Sequence, residues 1–269
     1  MRSLQTETAR ARWNEGLMER GPHVPSFRLS ICPTGLPGAE NMALDQALLD
    51  EAERTGRAFL RLYRFDPPCL SLGRNEPARQ RYDASAITHL GIDVVRRPTG
   101  GRAVWHEHEV TYAVAAPLAA FGSLRGAYRE IHRRLAAALR VLGAPATVAA
   151  GRAASLDGGP CFATSVGGEV LLSGKKVIGS AQLRLGCAFL QHGSILLGGT
   201  QEMVRAVSRR PCAVNATTLS AALGRPVQFA EVVDAIAASW GDECTATALE
   251  RPRPPSTARF LDPAWTWRR

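Results

Sequence analysis

The sequence lacks any long apolar run. No stretch is long and apolar enough to span a bilayer, and the N-terminus has no apolar core like that of a signal peptide. These absences favour a cytoplasmic protein without a membrane partner.

Paired cysteines are also missing. The six cysteines are scattered singly and never form a C-x-x-C pair, which argues against a disulfide framework or a structural zinc site. They are Cys32, Cys69, Cys161, Cys187, Cys212 and Cys244. A lone cysteine is by default a small buried hydrophobe, so only a special context would make one of them reactive.

Aromatic residues are scarce, at 6% of the chain, whereas basic residues are abundant and give a formal charge of +9. Such a surface attracts an acidic partner, and nucleic acid, an acidic protein and an anionic membrane all qualify. No run combines basic residues with stacking aromatics, which argues against nucleic acid.

The 269 residues form three parts. We predict a polar N-terminal extension over residues 1–26, a folded domain over 27–245 and an extended tail rich in proline and arginine over 246–269. Within the domain, apolar spacing predicts helices at 39–56, 127–142, 202–210 and 230–240. Residues 58–65 alternate as a half-buried strand, and residues 91–117 suggest two strands joined by a glycine turn. Runs of strands between helices indicate an α+β fold with packed helices and a largely antiparallel or mixed sheet.

The segment RRPTGGRAVWH, residues 96–106, is the first candidate site. Gly100 and Gly101 would let the backbone approach a ligand closely, and Arg97 and Arg102 would supply positive charge for an anionic group. A hairpin turn with solvated arginines is the alternative interpretation.

The second candidate is Cys161 with the hairpin EVLLSGKKVIGSA that follows it. Strand alternation around the Ser173-Gly174 turn sends Lys175 and Lys176 to opposite faces. An ammonium about 4 Å from a thiol is worth ~4 kcal/mol at an effective dielectric of ~20, more than the ~2 kcal/mol needed to bring a thiol pKa near 7. One lysine would therefore suffice to activate a nucleophilic cysteine, although an inert buried thiol remains open.

The histidines carry less information. His106 and His108 share a strand face, but without a third ligand they do not make a metal site. His192, in LQHGSILL, fits either a pocket wall or a hydrogen-bonded core position.

Six motifs in order resemble the lipoate-protein ligase and octanoyltransferase family, whose fold is shared with biotin-protein ligases. They are NMALDQALL, PPCLSLGRNE, VVRRPTGGRAVWHEHEVTYAV, CFATS, GKKVIGSAQ and LQHGSILL, and the resemblance runs from about Phe27 to about Trp240. Cysteine octanoyltransferases resemble the sequence best. This resemblance implies octanoyl transfer in lipoate biosynthesis, from the thioester of acyl carrier protein through a cysteine to a lysine of a lipoyl domain or of a glycine-cleavage H-type protein.

The resemblance also implies which residues act. Cys161 matches the acyl-accepting cysteine and Lys176 the site lysine. The substrate-binding residues would be Arg97, Gly100, Gly101, Arg102, His106, Gly179, Ser180, Ala181 and His192. The transferase needs no cofactor and no metal, because a thioester is exchanged for another thioester and then for an amide.

Two other functions stay open. An ATP-dependent lipoate ligase would use ATP and magnesium, but such ligases usually carry an Asn-Asp pair where Cys161-Phe162 stands and often a small C-terminal domain. A non-catalytic lipoyl-binding protein could use the same pocket. Two departures from the transferase pattern are Val166-Gly167-Gly168, where a tyrosine-containing segment is usual, and Glu107 in place of aspartate.

Overall fold

The computed structural model describes residues 25–150, 167–210, 215–246 and 256–268. Cys161, Phe162, Cys212 and nearly all of the N-terminal extension therefore lie outside the described residues. Among the described residues, no helix is both long and apolar enough to cross a bilayer.

Nine helices lie in the described ranges, and three of them are long. The helices are α1 (Gly38–Thr55), α2 (Ala78–Arg81), α3 (Ala84–His89), α4 (Leu124–Val141), α5 (Glu202–Ala206), α6 (Leu219–Leu223), α7 (Phe229–Trp240), α8 (Ala258–Leu261) and α9 (Pro263–Thr266). The apolar periodicity predicted the long helices α1, α4 and α7 and the short α5, with shifts at their ends. Helix α4 begins where the Ser123 side chain accepts a hydrogen bond from the Gly126 amide.

Twelve strands accompany them. They are β1 (Phe27–Leu36), β2 (Ala58–Phe65), β3 (Cys69–Leu72), β4 (Asp93–Arg96), β5 (Val104–His106), β6 (Glu109–Pro117), β7 (Ala146–Val148), β8 (Val170–Leu172), β9 (Lys175–Lys176), β10 (Ile178–Leu185), β11 (Ala188–Leu196) and β12 (Cys244–Ala246). The predicted hairpin is confirmed, with β8 and β9 antiparallel around Ser173 and Gly174, both at positive φ.

The main sheet has six strands in the order β10-β11-β6-β2-β1-β12. From β10 to β2, each pair of adjacent strands is antiparallel. Strand β1 runs parallel to both of its neighbours, β2 and β12. The predicted α+β fold with a mixed sheet is thus confirmed.

Helices cover both faces of this sheet. Leu62 and Tyr112 point into a large apolar cluster with helices α4 and α7, while Tyr63 and Ala113 point into a second cluster with α1. Strand β2 is therefore buried on both sides. The half-buried strand predicted for 58–65 was wrong, because alternation does not reveal a second covering layer.

Residues 97–103, which contain Gly100 and Gly101, connect β4 to β5 in a three-stranded sheet with the order β4-β3-β5. We call these residues the glycine segment. Residues 91–117 form three strands, and β3 lies between β4 and β5, so the two-strand prediction was wrong. The residues between Arg96 and Val104 do not close a hairpin. They cross over the end of β3 instead.

The C-terminal segment 256–268 forms two helical turns, where the sequence suggested extended chain. The buried Arg96 guanidinium donates to the carbonyls of Thr266, Arg268 and Gly73, and the Trp265 indole donates to the Arg96 carbonyl. These bonds tie the segment to β4 and to the turn after β3.

Candidate active site

A pocket lies between α1, the main sheet and the glycine segment. Apolar side chains of Met42, Tyr63, Phe65 and Val104 form part of its wall. The remaining lining residues are Arg97, His106, Thr111, Gly179, Ser180, Ala181, His192, Gly193 and Ser194. Six of the nine residues predicted to bind substrate therefore meet here.

Lys176 does not line this pocket but lies two residues before β10, whose Gly179, Ser180 and Ala181 do. Lys175 and Lys176 are the only lysines in the sequence, and strand alternation separates them as predicted, with Lys175 exposed and Lys176 only 4% exposed. The Lys176 ammonium forms an ion pair with Glu169, which is equally buried. Sequence reasoning missed Glu169, although it lies seven residues before Lys176 on the adjoining strand end.

His132 of α4 contributes a second residue that the sequence analysis missed. Its Nδ1 donates to the Gly168 carbonyl at 2.5 Å, and its Nε2 lies 2.8 Å from Ser180 Oγ. Burial lowers the pKa of His132 to about 4, and the charge of Lys176 adds to this shift, while the Gly168 hydrogen bond opposes it. His132 is therefore neutral at physiological pH, and its Nε2 accepts the Ser180 proton.

The bond between His132 and Ser180 depends on a glycine in β11. Ser180, Gly193 and Tyr112 face each other across three neighbouring strands. The Tyr112 hydroxyl reaches Ser180 Oγ at 2.7 Å, directly over Gly193, where a Cβ would lie only 2.5 Å from Ser180 Oγ and 2.6 Å from the Gly179 carbonyl. Only glycine fits there, which is a positional reason for the HG pair in LQHGSILL.

His192, next to it, points to the opposite face. Its Nδ1 donates to Asp45 at 2.8 Å, and its Nε2 lies 2.6 Å from Thr99 Oγ1. Burial lowers the pKa of His192, although the hydrogen bond to Asp45 opposes the shift. Burial alone would raise the pKa of Asp45, but the bond from His192 and the charge of Arg61 outweigh it and keep the pKa low. His192 is thus both a pocket wall and a hydrogen-bonded core residue.

His106 is held in a similar way. Its Nδ1 donates to Glu109 at 2.8 Å, and its Nε2 lies 2.6 Å from Ser71 Oγ. The Thr111 and Ser194 hydroxyls also donate to Glu109. His108, by contrast, is exposed, so the two histidines do not converge. No cluster of three or more histidine, cysteine or acidic side chains suited to a metal occurs in the described ranges.

Arg97 organises the glycine segment. Its guanidinium donates to the Ser71 hydroxyl and carbonyl and to the carbonyls of Gly100 and Arg102. Gly101 has φ of 85°, and a Cβ there would lie 3.5 Å from Ala181. Gly100, Gly101 and Arg102 do not line the pocket but adjoin its wall. The alternative of solvated arginines was wrong for Arg96 and Arg97, which are both buried.

The remaining cysteines of the described ranges are free thiols, at Cys32, Cys69, Cys187 and Cys244. Burial raises the pKa of Cys69 well above its usual range and that of Cys244 to about 11, so neither is an activated nucleophile.

Gly168, within the segment that departs from the expected tyrosine pattern, has φ of 93°, and a Cβ there would contact the Tyr128 ring.

The motifs that form this site are those of a known family. Residues 37–241 match the lipoyl protein ligase A/B catalytic domain. The chain belongs to this family. The octanoyltransferase LipM of Symbiobacterium thermophilum is 39% identical over 226 residues, which cover 76% of this chain and 81% of that protein. The octanoyltransferase LipM of Kyrpidia tusciae is 36% identical over 261 residues, covering 86% and 95%.

Solved structures show the same fold at lower identity. A lipoate-protein ligase A bound with ATP superposes with a TM-score of 0.66 at 21% identity, over 82% of this chain and 87% of that one. A bi-partite lipoate protein ligase from Thermoplasma acidophilum gives 0.69 at 19%, over 90% and 96%. The lipoyl protein ligase fold expected from the motifs is confirmed.

Proposed function

We propose that this protein is an octanoyltransferase that moves an octanoyl group from a carrier thioester to a protein lysine through Cys161. The observation that carries the proposal is its likeness to octanoyltransferases LipM, at 39% identity over 76% of the chain and at 36% over 86%. The buried Lys176 and the pocket beside it support the same chemistry.

The reaction has two displacements. In the first, the Cys161 thiolate attacks the carbonyl carbon of the donor thioester, and the donor thiolate leaves and takes up a proton. In the second, the neutral amine of the acceptor lysine attacks the Cys161 thioester, an amide forms, the amine loses a proton and the Cys161 thiolate is released. Both steps balance without a nucleotide, and the second runs downhill from thioester to amide.

Lys176 is proposed to stabilise the negative charge that develops on the sulfur and on the carbonyl oxygen. Its partner Glu169 weakens that field. A carboxylate next to the ammonium opposes part of its attraction for a nearby thiolate, so the pair activates a thiol less than an isolated ammonium would. Lys176 contributes further through hydrogen bonding to the developing oxyanion.

The pocket residues are proposed to hold the acyl chain. Met42, Phe65 and Val104 offer apolar contacts, and the polar groups around them already have partners within the protein, as with Arg97 and His192. A wall whose polar groups are satisfied suits an uncharged acyl chain, since a charged substrate would need free counter-charges.

Octanoyl-acyl carrier protein is the proposed donor, and a lipoyl domain or a glycine-cleavage H-type protein is the proposed acceptor. The test supplies octanoyl carrier protein and a lipoyl domain without nucleotide, and in parallel free octanoate with ATP and magnesium. We expect the acceptor to gain an octanoyl amide in the first mixture only. Modification that occurs only with free octanoate and ATP would contradict the transferase and favour a ligase.

A further inference from the structure

Six arginines gather on one side of the molecule, around α2 and α5. We call them the arginine surface, and they are Arg74, Arg79, Arg81, Arg205, Arg209 and Arg210. Four are exposed, and Arg74 and Arg81 are half-buried.

Backbone pairing brings these residues together from two parts of the sequence, and the C-terminal segment packs against them. The Arg209 amide donates to the Arg81 carbonyl at 2.8 Å, and Tyr82 forms a β-bridge with Ser208. The Arg79 guanidinium donates to the Trp267 carbonyl at 2.6 Å, and Arg268 donates to the Arg74 carbonyl. The surface is therefore continuous from the turn after β3, across α2, to the end of α5.

Most of this charge is not neutralised by acidic side chains. Arg79 and Arg209 bond to backbone carbonyls, which fix a guanidinium without cancelling its charge. Among the described residues, the only carboxylate that forms an ion pair with a member of the surface is Glu202, with Arg205, and both side chains are more than half exposed. Fixed guanidinium groups with uncancelled charge suit an anionic macromolecule.

The surface adjoins the pocket through the glycine segment. The Arg74 amide donates to the Thr99 carbonyl at 2.8 Å, and Thr99 in turn bonds His192 in the pocket wall. Next to Arg74, a Cβ at Gly73 would lie 1.9 Å from the Gly101 carbonyl, so the two turns touch. A partner bound to the arginine surface would have its reactive group within reach of the pocket.

We propose that the arginine surface docks the donor, an acidic carrier domain that presents its acyl thioester on a phosphopantetheine arm. This inference rests on the proposed function. The charge at the pocket end of the surface favours the donor over the acceptor. The arm carries a phosphodiester anion, which guanidinium groups bind, whereas an acceptor arrives with a lysine that is cationic before reaction and is repelled by Arg74.

The test reverses two exposed charges, in an Arg209→Glu, Arg210→Glu variant. Its control is Arg28→Glu, Arg57→Glu, a neighbouring exposed pair at the start of β1 and just before β2, away from the pocket, of which Arg57 also forms an ion pair with Glu51. Formation of the acyl-enzyme is measured by mass spectrometry with two donors, octanoyl carrier protein and the small thioester octanoyl-pantetheine, each at low and at physiological salt.

We expect the variant to load from the carrier protein at least about tenfold more slowly than the wild type at low salt, with a smaller difference at higher salt. Loading from octanoyl-pantetheine, and both rates in the control pair, should stay within about twofold. If the variant loads from octanoyl carrier protein at the wild-type rate, the docking proposal is wrong, whereas the proposed transferase activity is unaffected. A defect confined to transfer from the preloaded enzyme to a lipoyl domain would assign the surface to the acceptor and overturn the donor proposal. Failure of the wild type to load from either donor would overturn the transferase itself, and the docking proposal with it.

Discussion

Replacing Glu169 with glutamine removes the carboxylate that pairs with Lys176 but keeps the side chain nearly the same size. Both partners are only 4% exposed, so water cannot replace the lost charge. We expect the variant to be less stable, because removing one partner of a buried ion pair is strongly disfavoured.

The size of the effect follows from the burial of the pair. Breaking a buried ion pair by removing one partner costs about 3–5 kcal/mol. The variant should therefore lose about 3–5 kcal/mol of its free energy of unfolding near pH 7.

The sequence offers a clean assay for this charge. Because the chain has only two lysines, Lys175→Arg leaves Lys176 as the sole lysine. Nuclear magnetic resonance of lysine labelled at Nζ then distinguishes ammonium from amine without assignment. We expect the Nζ resonance of Lys176 in the Lys175→Arg protein to shift once Glu169→Gln is added, because the ammonium loses its carboxylate partner. Urea unfolding gives the loss of stability.

Two matched variants complete the test. Glu169→Asp keeps the carboxylate and should cost less stability than Glu169→Gln, whereas Glu202→Gln removes an exposed pair with Arg205 and should change the free energy of unfolding by less than about 0.5 kcal/mol. A cost under about 1 kcal/mol for Glu169→Gln, with the Lys176 Nζ resonance unchanged, would contradict the role given to this ion pair.

Three further predictions concern the residues that shape the site. Gly193→Ala should lower the free energy of unfolding by about 1–3 kcal/mol, measured by urea denaturation, because its Cβ would press on Ser180 Oγ and a backbone carbonyl; Gly100→Ala, with no atom within 4 Å of the new Cβ, should cost less than about 1 kcal/mol. The pKa of His132 falls from 6.5 to about 4 on folding, so its contribution is fully present above pH 6.5 and is lost as the pH falls towards 4; stability should drop by up to about 3 kcal/mol over that window, and His132→Gln should flatten the slope. Arg96→Lys removes the guanidinium that donates to five carbonyls, two of them in the 256–268 segment, so limited proteolysis should release that segment faster than in the wild type, and an equal rate would show that other contacts hold it.

Much of the fold could be predicted because local patterns decide it. The long helices follow from apolar spacing, and the Ser173-Gly174 turn sets the hairpin that buries Lys176 and exposes Lys175. The insertion of β3 between β4 and β5 could not be predicted, since strand order depends on long-range pairing that leaves no local signal. The burial of Arg96 was missed for a related reason. One of the carbonyls that its guanidinium binds, that of Thr266, lies 170 residues later in the chain.

The candidate site was predicted where a motif marks it and missed where partners are remote. His106 and His192 both lie in motifs that the sequence shows. The carboxylate that binds His106, Glu109, is three residues away, but the one that binds His192, Asp45, is far away in the sequence. His132 lies on a helix whose apolar pattern gives no hint of a polar partner, and only the fold brings it to Ser180. The glutamate before the hairpin, Glu169, could have been suspected, because a buried lysine needs a counter-charge.

The most direct measurement is peptide mapping by mass spectrometry after incubation with octanoyl carrier protein and no nucleotide. We expect the peptide containing Cys161 to gain one octanoyl group. Hydroxylamine should remove this group, and a lipoyl domain added afterwards should take it up as an amide. An octanoylated acceptor formed while Cys161→Ala remains fully active, with no adduct on the wild-type peptide, would contradict this expectation.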